Sequence, residues 1–389
     1  MGDTEAWASK CDENSVWLLS RGWFSMKIAY LLPNLHITGG ARSAVELGGR
    51  MMKRGHEFNI LIPSGRKKLN VAEGINVIEC GWKVSSPLLA VPTGLLGMLQ
   101  KMPPADIVIG SMPTHSLTAK FIGNRMGIPA VNYVLGNDVH FFDDNNFLKS
   151  SFLVYLYKLI AKFAIKSKYM ITNSHQTAVW LVSEGGNRPC AIVNSGYNPE
   201  LFFPSSDKRL DRQAMRLITI GKKQPAKGFP DLIDALNMVD QKECQFTLVV
   251  VSQDNLDMSS AKFNFQIEKP QSDVELANLY RSGDIYINSS WSEGFGLPSL
   301  EAQACGLAIV STNCGGVREF LKDGENSLIV PPREPLSLCR AIERLIKDNK
   351  QRSRLIEAGL KSCQKFTWEV VSAKFETILK EIKADFTDV

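Results

Sequence analysis

The chain has 389 residues, 44% of them hydrophobic and 22% charged, which excludes a disordered chain, a collagen or a small disulfide-stapled scaffold. Its 45 basic and 40 acidic residues leave a net charge of only +5, without the dense basic stripe that marks a nucleic-acid binder. The eight cysteines are scattered with no C-x-x-C, and no histidine lies within four residues of another. Reduced buried thiols in a reducing compartment are expected, with no metal site.

Residues 1–25 carry Asp3, Glu5, Asp12 and Glu13 ahead of a four-residue apolar run at 16–19. That is no secretory signal, and the segment is expected to be a loosely ordered extension. No stretch approaches the roughly 20 apolar residues needed to span a bilayer, so a cytoplasmic location is expected.

From residue 26 short apolar runs alternate with amphipathic stretches. Strands are expected at 27–32, 58–62, 77–80, 107–110, 131–135, 170–173 and 191–194, with helices such as 41–54 and 147–166 between them. The pattern pauses at 196–212, a Gly-, Pro- and charge-containing stretch that reads as a linker. It then restarts with strands at 217–221, 246–251, 263–267, 285–288, 308–311 and 328–330, followed by helices at 335–349, 351–364 and 368–384. Strands buried on both faces and joined by helices make parallel, doubly wound α/β sheets. The expected organisation is an N-terminal domain over 26–200, a C-terminal domain over 201–366, and a final helix within 367–389 packing back on the first domain. Ligands of such sheets bind beyond the carboxyl ends of the strands, so two facing domains enclose a cleft.

Four strand-to-helix junctions offer chemistry at that cleft. Gly39-Gly40, after the first strand, lets an anionic ligand approach unpaired N–H groups at a helix start, though a plain turn explains the pair as well. Lys222, Lys223 and Lys227, after the first strand of the second domain, suit phosphate, with a solvated basic loop as the alternative. Thr312–Glu319 is a further glycine-containing helix entry. The most specific segment is Ser290–Ala302, in which Gly294 and Gly296 free the backbone and Glu293 and Glu301 offer two carboxylates. Paired carboxylates suit polyols because each accepts hydrogen bonds from adjacent hydroxyls.

Glu293 and Glu301, with seven residues between them in the setting S-E-G-F-G-L-P-S-L-E-A, resemble the E-x7-E signature of retaining glycosyltransferases of family four. The resemblance extends through Gly221…Lys227-Gly228, Ile171–Ser174, Asn194–Asn198, Gly315-Gly316 and Asp323–Asn326, from about residue 26 to 368. It implies the GT-B fold, two facing Rossmann-like domains with a cleft between them. It implies further that Glu293 faces the donor sugar, while the backbone at Gly294, Phe295, Gly296 and Leu297 holds sugar hydroxyls or the β-phosphate. Glu301 would bind the ribose, Lys222 and Lys227 the diphosphate, and Gly39-Gly40 would meet that diphosphate from the other domain. The substrate would be a nucleotide-diphosphate sugar, with no cofactor and no metal.

This chain departs from the family at several positions. Lys222 replaces the usual arginine, Leu135 stands where a histidine is common, and Asn198 stands where aspartate is common. Ser252–Asp254 replaces a glycine-rich turn. Asn137, Asp138 and His140 are the candidates to replace the histidine, and Asp138 is counted with the catalytic residues. The implied reaction moves a sugar to an acceptor hydroxyl with retention, in cell-surface polysaccharide or glycolipid assembly. A catalytically inactive nucleotide-sugar-binding relative is the alternative, resting on Leu135. The expected partners are thus a nucleotide-sugar donor and a carbohydrate or lipid-linked acceptor, with no nucleic acid. Residues 147–168 combine apolar side chains with Lys149, Lys158, Lys162, Lys166 and Lys168. They read either as a peripheral contact at the inner face of the cell membrane or as a core helix edged by lysines.

Overall fold

A computed structural model describes residues 25–35, 39–67, 71, 74–82, 87–136, 151–205 and 214–388. The expected extension up to residue 24, residues 206–212 of the linker, residues 147–150 of the lysine-edged helix, and Asn137, Asp138 and His140 lie outside the described residues. In the first domain the order is β1 (Lys27–Leu31), α1 (Gly39–Lys53), β2 (Glu57–Pro63), β3 (Asn76–Cys80), α2 (Pro87–Lys101), β4 (Ile107–Gly110) and α3 (Pro113–Met126). It continues with β5 (Ala130–Val134), α4 (Ser151–Ala164), β6 (Tyr169–Thr172), α5 (His175–Ser183) and β7 (Ala191–Ile192). All pair in parallel in the order β3-β2-β1-β4-β5-β6-β7.

The second domain contains β8 (Met215–Ile220), α6 (Phe229–Met238), β9 (Phe246–Val251), β10 (Phe265–Glu268), α7 (Asp273–Arg281) and β11 (Ile285–Asn288). Then come α8 (Leu297–Ala304), β12 (Ala308–Thr312), β13 (Leu328–Val330), α9 (Pro335–Lys347) and α10 (Asn349–Cys363). Its parallel sheet runs β10-β9-β8-β11-β12-β13. Most strand ends shift by a residue or two from the sequence reading, and two of the shifts have a visible cause. β10 begins at Phe265, because Phe263 leaves the ladder to pack its ring 5.5 Å from that of Phe246. β7 stops at Ile192, because Asn194 turns its side-chain amide to the Asn173 carbonyl at 3.0 Å.

Apolar side chains cover both faces of each sheet. In the first domain α1 packs on one face with Ala44, Leu47 and Met51, while Met98, Ala119 and Ile122 of α2 and α3 cover the other. The last helix, α11 (Trp368–Thr387), adds Trp368, Val371, Phe375, Ile378, Leu379 and Ile382 to the α1 face of the first domain. The chain therefore crosses between domains twice, side by side. Tyr197 N–H donates to the Phe366 carbonyl at 2.9 Å and Trp368 N–H to the Tyr197 carbonyl at 3.0 Å. Phe375 is fully buried, its ring stacked 5.9 Å from Tyr133. Phe375→Ala is expected to cost about 3–5 kcal/mol, read by denaturant unfolding, through lost burial and the cavity left behind.

His115, at the start of α3, is buried, and its Nε2 has no hydrogen-bond partner. Burial pushes its imidazole down to about 4. Below the ordinary histidine value the unfolded chain takes up a proton that the folded chain refuses. Stability therefore falls as pH drops from about 6.5 towards 4, by about 3 kcal/mol in full. Urea unfolding at pH 7.5 and 4.5 is expected to show this loss in the wild type, with a smaller loss in His115→Asn.

Candidate active site

Strand order reverses between β1 and β4 in the first sheet and between β8 and β11 in the second. At such switch points the loops diverge and leave a crevice beyond the strand ends. The loops after β1, β5, β8, β11 and β12 meet there.

After β8 the chain makes a short 3-10 turn, Pro225–Lys227, closed by Gly228 at φ 58°. A Cβ at Gly228 would lie 2.1 Å from the Ser289 carbonyl oxygen, so glycine lets this turn press against the loop after β11. The two loops are stitched together. Trp291 N–H donates to the Ala226 carbonyl at 2.7 Å, and Ser289 Oγ donates to the Lys227 carbonyl at 3.1 Å. The result aims Lys227 Nζ at both oxygens of Glu293, at 2.8 and 2.9 Å. Ser290 Oγ adds a third bond to that carboxylate at 2.8 Å. The Glu293 backbone is pinned on both sides, its N–H to the Cys314 carbonyl and its carbonyl to Gly316 N–H. Lys222 sits half-buried on the same loop as Lys227.

Gly296, at φ 90°, precedes α8, whose first turn contains Pro298. The Phe295 side chain turns inward, with ring centroids 5.3 Å from Phe320 and 6.1 Å from Phe366. At Phe295 only the backbone is therefore available to a ligand. One turn on, Glu301 is 1% exposed.

The first domain closes the crevice from the other side. A Cβ on Gly40 would lie 3.2 Å from Leu135 Cδ1, while Gly39 faces open space. The Leu135 carbonyl accepts from Asn173 Nδ2 at 2.8 Å, and a Cβ on Gly294 would lie only 2.3 Å from that carbonyl oxygen. Domain contact here depends on Gly294 having no side chain. A second contact joins His175 N–H to Glu319 Oε1 at 2.7 Å and Asn194 Nδ2 to Glu319 Oε2 at 3.1 Å.

Arg42, from α1, joins this site although motif reading did not single it out. Its Nη2 donates to Glu301 Oε1 at 2.8 Å and lies 3.3 Å from Asp273 Oδ1. Burial opposes the charge of the Arg42 guanidinium, but Glu301 and Asp273 hold it above its usual value. Burial pushes the Glu301 carboxyl up, against the pull of Arg42. The only sequence signal for Arg42 is its place two residues after Gly40; its partner is 259 residues away. Among the described residues no group of three or more His, Cys, Asp or Glu side chains is placed to hold a metal ion.

Residues 205–362 match the family model for group 1 glycosyl transferases. A D-inositol 3-phosphate glycosyltransferase of Frankia alni is 30% identical over 205 residues, which cover 46% of this chain and 50% of that protein. The chain spans about half the length of the curated relatives it matches. Sucrose-phosphate synthase of Thermosynechococcus elongatus superposes with TM-score 0.78 at 16% identity, over 92% of this chain and 100% of that one. HepE of Anabaena, solved in complex with UDP and glucose, superposes with TM-score 0.72 at 17% identity, over the same shares. The chain thus has the GT-B fold of two facing Rossmann-like domains, and Lys227, Glu293 and Glu301 fall inside its group 1 segment.

Proposed function

We propose that the protein is a retaining glycosyltransferase of family four that moves a sugar from a nucleotide-diphosphate sugar to an acceptor hydroxyl without a metal. The observation that carries this reading is the Lys227–Glu293 pair beside Glu301, gathered in one crevice against the Gly39-Gly40 helix start. In the transfer, negative charge builds on the departing diphosphate and positive charge on the anomeric carbon. Lys227, Lys222 and the positive end of α1 meet the first; Glu293 meets the second. The β-phosphate oxygen that leaves carbon can take the proton of the incoming hydroxyl, so the replacement of histidine by Leu135 is compatible with turnover. These fixed cations supply the charge stabilisation that a metal would otherwise give.

Incubation with UDP-, GDP-, ADP- and dTDP-sugars and simple acceptors, with the product's anomeric configuration read by NMR, tests the reading. A new glycosidic bond of the donor's configuration is expected; an inverted product overturns retention. Leu135 favours a second reading, an inactive nucleotide-sugar-binding relative, and binding without any transfer would establish it.

The acceptor side has its own signature. Tyr155, Leu159 and Phe163 are spaced by four residues on α4 and are 67%, 41% and 62% exposed. Tyr157 and Ala161 face the core from the opposite side of the helix. Lys158 and Lys162 lie on the exposed side, and neighbouring α3 exposes Phe121 with Lys120 and Arg125. Neither helix contains Asp or Glu. An apolar face framed by cations suits an anionic lipid surface, which supports the reading of an enzyme at the inner face of the cell membrane, in glycolipid or polysaccharide assembly. No described helix is long and apolar enough to cross a membrane. A Tyr155→Ser, Phe163→Ser double variant is expected to lower partitioning onto anionic vesicles about tenfold or more. Equal sedimentation of wild type and variant with those vesicles would refute the contact.

A further inference from the structure

Arg42 and Glu301 make an incomplete ion pair across the domain boundary. One guanidinium nitrogen satisfies Oε1 at 2.8 Å, whereas Oε2 is buried and has no hydrogen-bond partner. The buried Tyr280 hydroxyl approaches the same carboxylate closely enough to favour its charged form, yet makes no well-aligned bond to Oε2. An arginine fork commonly fills both oxygens of a carboxylate, whereas this one shares a single nitrogen between Glu301 and Asp273. Here a carboxylate with acceptor capacity to spare is sealed under a cation from the opposite domain. A ribose presents two adjacent hydroxyls to such a carboxylate, and because Glu301 is 1% exposed beneath the guanidinium, they reach it once Arg42 moves aside.

The displaced cation then lies where the rest of the same ligand arrives. Arg42 follows Gly40 in the first turn of α1, and Gly40 lies against Leu135, which touches Gly294 beside the Glu293–Lys227 pair. The loop after β8 offers a diphosphate ammonium groups, Lys222 and Lys227. A guanidinium offers the planar fork that matches phosphate oxygens in pairs.

We propose that donor binding exchanges the partner of Arg42: the ribose takes Glu301, and the released guanidinium pairs with the diphosphate, drawing the first domain onto the donor. The exchange rests on the donor-site reading above. It makes Arg42 a diphosphate-binding residue contributed by the first domain, while in the free protein it competes for Glu301.

Calorimetry with inorganic pyrophosphate, a nucleoside, and UDP, GDP, ADP and dTDP tests the exchange on the wild type, Glu301→Gln, Arg42→Ala and Arg42→Lys. Glu301→Gln frees the guanidinium. It is expected to bind pyrophosphate about tenfold more tightly than wild type, the weight of a charge-assisted pair of bonds, while losing nucleoside affinity. Arg42→Ala is expected to bind pyrophosphate about tenfold more weakly, with Arg42→Lys between the two. A purely structural ion pair would instead leave pyrophosphate affinity unchanged or weaken it in both Glu301→Gln and Arg42→Ala. If Arg42→Ala does not fold, the sign of the effect in the near-isosteric Glu301→Gln decides alone. If no nucleoside diphosphate binds the wild type, the donor-site reading fails and the exchange with it. If one binds but Glu301→Gln does not strengthen pyrophosphate binding, the exchange alone is overturned.

Discussion

Glu293→Gln is expected to slow sugar transfer by about 10²- to 10³-fold while leaving the fold and nucleotide binding nearly intact, the usual scale for removing one preorganised charge from a transition state. The carboxylate is held in one orientation by Lys227 at 2.8 and 2.9 Å and by Ser290 at 2.8 Å. Glutamine preserves its shape and one acceptor oxygen but removes the charge that would face the anomeric carbon. Lys227 is 28% exposed, so losing its partner leaves a cation that water still reaches, and stability changes little. Initial-rate kinetics with thermal unfolding alongside check this. A fall in kcat with KM and melting temperature kept is the expected pattern; unchanged kcat would remove Glu293 from the chemistry.

Gly294→Ala is expected to lower kcat/KM by about 100-fold or more, because a displacement near 1 Å at a reacting centre has that order of effect. The added Cβ would lie 2.3 Å from the Leu135 carbonyl oxygen and 3.3 Å from Gly136 Cα, both backbone atoms of the opposite domain. Backbone cannot rotate aside as a side chain can, so the domains must part. Val182→Ala, at an exposed position of α5 outside the crevice, is the control. Kinetics on both variants, with unfolding transitions recorded, test the argument. Closed-domain geometry is contradicted if Gly294→Ala turns over as fast as Val182→Ala.

Much of this fold is legible because parallel strands buried on both faces write themselves as short apolar runs. Phe246–Val251 and Ile107–Gly110 are strands with the bounds that their composition suggests. Element ends were less legible where a side chain or ring outcompetes the ladder, as at Asn194 and Phe263. Within the site, Glu293, Lys227 and Glu301 stand out because glycine spacing and paired carboxylates are local signals. Arg42 does not, since a salt bridge between domains leaves no periodicity and its partner lies on a helix of the other domain. The approach of Leu135 to Gly294 is equally silent, because it is set by how two complete domains meet. The burial of Phe295 likewise depends on Phe320 and Phe366, remote positions that a motif cannot announce.

The central claim is that the crevice around Glu301 binds the nucleotide part of a sugar donor. Thermal unfolding of the wild type and Glu301→Gln with UDP, GDP, ADP and dTDP tests it most directly. A nucleotide held at 100 times its dissociation constant should add about 2.7 kcal/mol to the folded state. The account predicts that at least one nucleotide raises the wild-type transition and raises that of Glu301→Gln clearly less. Equal shifts in both proteins, or no shift with any nucleotide in well-folded wild type, would contradict it.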